Sequence, residues 1–283
     1  MRDVIYMKRI INILLVVFLS LCVFGCSSSS NDTPAGNDVP KEDEVKKEEW
    51  LCNKQTFYNG NGEIESYTIY KYNKDGKFLS YEEYDGNSEL KGKAESTYDE
   101  KGREIENVIY DGNGEIYIRS EFEYNDKDQM IKETDYDAEG EITAYFTYEY
   151  DSNGNNIHSE NTTADGFLSM TSDKEYNDHN KLIKNHRIFY GHSEWTIVYE
   201  YSNDILDRST EYNADGSISR IAVYKYSDQN SELYDSIEYY NVDNNLAGRQ
   251  EFRYDENGNR ISYAYFDAEG NMNSMTEYEY IKK

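Results

Sequence analysis

Proline is nearly missing from this chain of 283 residues: there are two, Pro34 and Pro40. Everything after residue 40 can therefore donate its backbone N–H groups to a ladder without interruption. Cysteine is scarce as well. Cys22, Cys26 and Cys52 are too few for a disulfide framework, and no Cys-x-x-Cys pair is present to hold zinc. Long apolar runs are absent beyond residue 25, and positive charge is in deficit, with 29 Lys and Arg against 56 Asp and Glu and a net charge of -27. That balance disfavours a nucleic-acid or anionic-membrane surface by repulsion. His-Glu-x-x-His, P-loop and Gly-x-Ser-x-Gly motifs are all missing, so no catalytic residue, metal or cofactor is expected.

What the chain has in excess is tyrosine, 30 residues of it. Tyr58, Tyr84, Tyr110 and Tyr136 stand 26 residues apart, and Tyr72, Tyr98, Tyr124, Tyr150 and Tyr176 form a second series with the same period. A fixed period of this size marks a repeat protein whose units bury their apolar faces only by stacking on neighbours. After each residue of the first series comes a ten-residue segment with clean alternation. In 115–124 one face holds Ile116, Ile118, Ser120, Phe122 and Tyr124 and the other Glu115, Tyr117, Arg119, Glu121 and Glu123; 141–150 repeats the pattern. Period two with tyrosine and β-branched residues predicts strands with one buried face. Its central positions are small, including Gly92, Ala94, Ser120, Ala144, Ala222 and Ser274, as a curved sheet or narrow interior requires.

The segments after the second series are shorter and more polar, as in 103–110 and 129–136, and are expected to bury less. Their acidic excess reads as a solvated strand face. Four-residue connections such as Asp137–Gly140 and Asp151–Gly154 place Asp first, to cap the turn, and Gly fourth, where φ is positive. Loops of this kind join antiparallel neighbours. The expected fold is all-β: tandem hairpins of 26-residue period, about eighteen strands by the turns, in an elongated, curled meander.

Lys8 and Arg9 precede the apolar run 10–25, which reads as an export signal too short to span a bilayer comfortably. With Asp3 upstream, Met7 is the expected start of translation. Val23-Phe24-Gly25-Cys26 resembles the lipobox of bacterial lipoproteins, which implies that 1–25 is a signal peptide and that Cys26 is acylated as the mature N-terminus. Residues 26–49 then form an acidic tether with an r.m.s. reach of ~25 to 30 Å as a flexible coil, and 50–283 the repeat domain. Cys52 is left as a small half-buried hydrophobe.

The stretches Tyr98–Ile105, Tyr150–Ile157 and Tyr254–Ile261 (YDEKGREI, YDSNGNNI, YDENGNRI) resemble the YD repeat of Rhs-type proteins. The resemblance extends over about residues 55 to 283 and implies β-hairpin arrays that spiral into shells or elongated surfaces of exported proteins. The period here is longer than that family's usual one, and a toxin domain after the repeats is not expected.

Two features stand out for function. Asp111–Glu115 and Asp255–Gly258 carry oxygen ligands at alternate positions, as calcium loops do, but without the terminal Glu spacing of an EF-hand, and turn chemistry accounts for them. Second, the spacing slips at Tyr190, Tyr201 and Tyr212, within 186–212, where His186, His192, Glu194 and Trp195 become candidate ligand contacts. Exposed Tyr67, Tyr117 and Tyr145 are either stacking sites for sugar or peptide or cross-strand partners. The expectation is a cell-envelope lipoprotein acting as a non-catalytic scaffold for an extracellular glycan or protein; an envelope hydrolase sited at 186–212 and an accessory of a YD-repeat toxin are the alternatives.

Overall fold

The computed structural model describes residues 49–228 and 233–283; segment 1–25, Cys26 and the tether up to residue 48 lie outside the described residues. Eighteen strands follow one another: β1 Trp50–Asn59, β2 Ile64–Tyr72, β3 Phe78–Asp85, β4 Leu90–Tyr98, β5 Glu104–Asp111, β6 Ile116–Tyr124, β7 Met130–Tyr136, β8 Ile142–Tyr150, β9 Asn156–Thr163, β10 Leu168–Tyr176, β11 Leu182–Phe189, β12 Ser193–Ser202, β13 Ile205–Asn213, β14 Ile218–Lys225, β15 Ser236–Tyr240, β16 Leu246–Tyr254, β17 Arg260–Asp267 and β18 Met272–Lys282. Every strand pairs antiparallel with its neighbours in sequence, and β1 also pairs with β18.

That last ladder corrects the expected meander. The sheet is not open: it closes on itself, from Trp50↔Lys282 to Asn59↔Ser274. Twist accumulates strand by strand, and with small lumen-side residues such as Ala94, which is fully buried, the curl brings the two edges together. Closure satisfies two rows of backbone groups that an open sheet would leave as sticky edges.

The turns form as their residues dictate. In 111–115 the Asp111 Oδ1 accepts the N–H of Asn113 (2.8 Å) and of Glu115 (3.0 Å), while Gly114 adopts φ 83°. The carboxylate is thus occupied by turn closure, and Asp255 is used in the same way by Asn257 and Asn259. The slip in the tyrosine spacing is a change of turn type. Between β12 and β13 two residues, Asn203 (φ 51°) and Asp204 (φ 64°), replace four, the left-handed pair of a type I′ hairpin. The β12–β13 ladder runs up to the turn at Ser202↔Ile205, with the usual skipped residue, here Asp207, between Glu200↔Arg208 and Tyr201↔Leu206.

A second correction concerns phase. Nearly every strand pair skips a residue near its start: Thr97↔Glu106 is followed by Tyr98↔Glu104, passing over Ile105, and Glu123↔Lys132 by Tyr124↔Met130, passing over Ile131. Such a bulge exchanges faces. Ile105 and Ile131, and Ile116 beside the bulge at Tyr117, stay exposed, while Glu104 before Ile105 and Glu133 and Asp135 after Ile131 turn inward.

The tyrosines divide by series. Tyr58, Tyr84 and Tyr136 lie on the outer wall, donating to Glu277 (2.7 Å), Glu82 (3.0 Å) and Glu121 (2.8 Å). The second series faces the lumen. Tyr72 donates to the carbonyl of Cys52 (2.6 Å), Tyr124 to Glu104 (2.7 Å), Tyr150 to Met130 (2.7 Å), Tyr176 to Asn156 (3.0 Å) and Tyr280 to Arg260 (2.8 Å), each 20 residues earlier. Those carbonyls belong to the residue just before each bulge. The phenol satisfies an acceptor at the place where the ladder is broken, which explains why tyrosine and not phenylalanine is repeated.

Candidate functional site

Cross-strand partners share a face, so the lumen wall can be followed around the ring through its most buried positions. Tyr81 pairs with Ala94, Asn107 with Ser120, Ser120 with Asp135, Tyr148 with Ser159 and Ser159 with Ser172. Much of this lining is polar: Ser120, Asp135, Ser159, Ser172, Asn185 and Ser209 are all buried. Barrels of this strand number leave room for water inside.

The wall is polarised. On β3 to β7 it is acidic, with Glu83, Glu104, Glu133 and Asp135. Asp135 accepts from Ser120 Oγ (2.6 Å), Glu133 from the Tyr148 hydroxyl (3.2 Å), and Glu104 from Ser96 Oγ (2.5 Å) and Asn107. Burial raises the pKa of all four, and Glu133, which also faces Asp135, is pushed up to about 8. These carboxyls correct the reading of the acidic excess as wholly solvated. For Glu104 the signal is Ile105, the apolar residue after the Gly102 turn, which is skipped in the ladder and stays exposed while Glu104 before it faces the lumen.

From β10 to β14 the wall is cationic. Lys174 donates to Asn156 Oδ1 (2.7 Å), and its pKa is lowered by burial and by the neighbouring Arg187 charge. Arg187 pairs across the ladder with Ser172 and with Trp195, whose ring stacks on Phe189 at 4.9 Å and 14°. Arg220 forms an ion pair with Glu211 at 2.9 Å.

Of the four candidate contacts, the structure brings two together. His186 Nε2 lies 3.6 Å from Glu194, and its Nδ1 2.9 Å from Thr196 Oγ1. This pair is on the outer wall, beside Asp173, which meets His158 at 2.6 Å and raises its pKa. Trp195 is on the opposite face, in the lumen, and His192 is exposed in the β11–β12 turn. The four therefore do not form one site. Among the described residues no group of three His, Cys, Asp or Glu is placed to hold a metal ion.

Elsewhere the outer wall is a lattice of charge. Lys54–Glu279, Lys71–Glu82, Arg119–Glu121, Lys132–Glu123 and Lys184–Glu175 pair across or along strands. Tyrosines pack beneath cations: Arg119 lies 3.9 Å from the Tyr136 ring centroid and Lys132 5.3 Å from that of Tyr145. Tyr67 stacks on Tyr84 at 5.0 Å. A bilayer-spanning barrel needs an apolar outer band about 25 Å tall, and Lys or Arg at its middle costs about 2–4 kcal/mol each. Among the described residues this outer wall carries ion pairs on β1, β2, β3, β6, β7, β10, β11 and β18.

Fold and faces together define a closed β-barrel of hairpin repeats with a charged exterior and a polar, aromatic lumen. No family model matches the chain, and no curated protein matches it. Among solved structures it is similar to part of the toxin complex TcdB2-TccC3-Cdc42, at 12% identity and a TM-score of 0.36, over 77% of this chain but only 14% of that one. It is also similar to porin-like proteins of Bacteroides uniformis (14% identity, TM-score 0.47, 82% of this chain and 98% of that one) and Bacteroides vulgatus (13%, 0.34, 82% and 99%). None of these overlaps reaches a TM-score of 0.5, and the barrel stands on the strand ladder of the chain itself.

Proposed function

We propose that the chain is a lipid-tethered cell-envelope protein whose barrel acts in water as a non-catalytic binding or structural scaffold. The observation that carries this reading is the ion-paired outer wall, which leaves membrane attachment to something other than the barrel. Val23–Cys26 supplies that something by its resemblance to a lipobox, and the polar stretch after it is long enough to hold the barrel clear of lipid headgroups. The lumen, lined by hydroxyls, amides and aromatic rings, is the concave surface offered to a ligand. A hydrolase centred on 186–212 gains nothing from the geometry, since His186 and Glu194 sit on the opposite face from Trp195.

Fractionation of a bacterial host with a lipoprotein pathway tests the reading. The wild-type chain is expected with membranes, and full-length Cys26→Ser protein in the soluble fraction, folded without detergent. A Cys26→Ser protein that still requires detergent to leave the membrane would refute it.

A further inference from the structure

Binding surfaces in this lumen are not equivalent. On the cationic wall Lys174 on β10 and Arg187 on β11 are diagonal neighbours on the lumen face, and the Arg187 charge adds to burial in lowering the Lys174 pKa. Among the described residues neither has a carboxylate partner; Lys174 is held by the Asn156 amide alone. Glu211, the carboxylate of this wall, is taken by Arg220 at 2.9 Å and Ser219 at 3.2 Å. Two like charges brought together without a counter-ion are costly unless an anion joins them. Next to them stands the Phe189–Trp195 stack, an apolar plate on the same face. Around both are Ser172, Asn185 and Asn161, donors and acceptors suited to hydroxyl groups.

We propose that the lumen wall formed by β10, β11 and β12 binds an acidic saccharide, its anionic group on Lys174 and Arg187 and a sugar ring against Trp195. The proposal rests on the scaffold reading and names its ligand class. A planar guanidinium takes a carboxylate in two parallel hydrogen bonds and the ammonium adds a point charge. The flat ring offers a face to sugar C–H groups, while amides and hydroxyls meet the sugar hydroxyls. The net charge of -27 does not oppose this, because fields decay over about 8 Å in physiological salt and the local wall is cationic.

Trp50 and Trp195 are the only tryptophans, so Trp195 can report binding in a full-length Trp50→Phe, Cys26→Ser protein. Three probes are titrated: trigalacturonate, a sulfated disaccharide and neutral maltotriose. Trigalacturonate or the sulfated sugar is expected to shift Trp195 fluorescence saturably and maltotriose is not; which acidic probe binds tighter distinguishes carboxylate from sulfate. Arg187→Gln should weaken binding at least tenfold with unchanged circular dichroism, and Lys174→Gln serves as a second variant should the first fail to fold. Equal binding of maltotriose, no response to either acidic probe at millimolar concentration, or unchanged affinity in a folded Arg187→Gln protein would overturn the ligand assignment. Those results leave the scaffold reading intact, since that reading fails only in the fractionation of the Cys26→Ser protein.

Discussion

Glu133 and Glu121 lie on adjacent strands, β7 and β6, but on opposite faces of the wall, and their acidities shift in opposite directions. The outer Glu121 accepts from Tyr136 and Arg119, which hold its pKa below the usual carboxylate range. The lumen Glu133 is desolvated beside Asp135 and rises from 4.5 to about 8. A carboxyl that keeps its proton in the folded state while the unfolded chain releases it makes stability fall as pH rises across that window. The gap is roughly 3.5 pH units at 1.36 kcal/mol each, an upper limit of about 5 kcal/mol, which water in the lumen reduces to about 2–3 kcal/mol. Replacing Glu133 by Gln keeps the shape, keeps an acceptor for Tyr148 and removes the titration. For a domain of this size Tm should then rise by roughly 4–12 °C at pH 8 and hardly change at pH 4.5. Glu121→Gln should behave in the reverse sense, costing stability at pH 8. Differential scanning calorimetry of both variants at the two pH values measures this. A Glu133→Gln effect of the same size at pH 4.5 and pH 8 would show that the carboxyl is not desolvated in a lumen at all.

Further outcomes follow from the same geometry. Tyr124→Phe removes the hydroxyl that satisfies the Glu104 carbonyl beside a bulge, and urea unfolding should show a loss of about 1–2 kcal/mol, whereas Tyr117→Phe on the exposed outer wall should be nearly neutral. Gly112→Ala would place a Cβ 2.5 Å from the Leu90 carbonyl oxygen, a backbone atom that cannot move aside cheaply; a fall in Tm of several degrees is expected. The turn aspartates Asp111 and Asp151 have lowered pKa values because backbone and Asn side-chain N–H groups bond to them. Their stabilisation is present above the ordinary Asp pKa and lost as pH falls through the lowered values, so a thermal scan against pH should show an acid limb below about pH 4, lessened in Asp111→Asn.

Much of the architecture was legible. Asp, Gly and Tyr recur because a capped four-residue turn, a left-handed φ and a phenol are each needed once per unit, so strand number and turn positions could be read from the chain. Two things were not. Closure depends on twist summed over all the strands, and no local segment such as 115–124 carries it. The phase of each strand depends on a bulge whose skipped residue, Ile105 or Ile131, looks like a core position. Reading Ile105 as inward sends Glu104 to the solvent side, and reading the acidic excess of these shorter strands as one solvated face sends Glu133 and Asp135 there with it; this is why the acidic wall is not legible. The slip at 190–212 groups the Trp195 ring with His186 and Glu194, which the alternation of β11 and β12 puts on the other face.

Everything said of a lumen rests on the seam between β1 and β18. Tyr58 and Met275 are direct partners there on the outer wall, although the sixteen strands β2 to β17 lie between them along the chain. Cα atoms of such partners lie about 4.5–5.5 Å apart, within reach of a disulfide. In a Cys52→Ser background, Tyr58→Cys with Met275→Cys should form an intramolecular disulfide nearly quantitatively under mild oxidation, with the β-sheet circular dichroism unchanged. Two free thiols in a fully folded, monomeric protein would mean an open spiral and contradict the closed barrel.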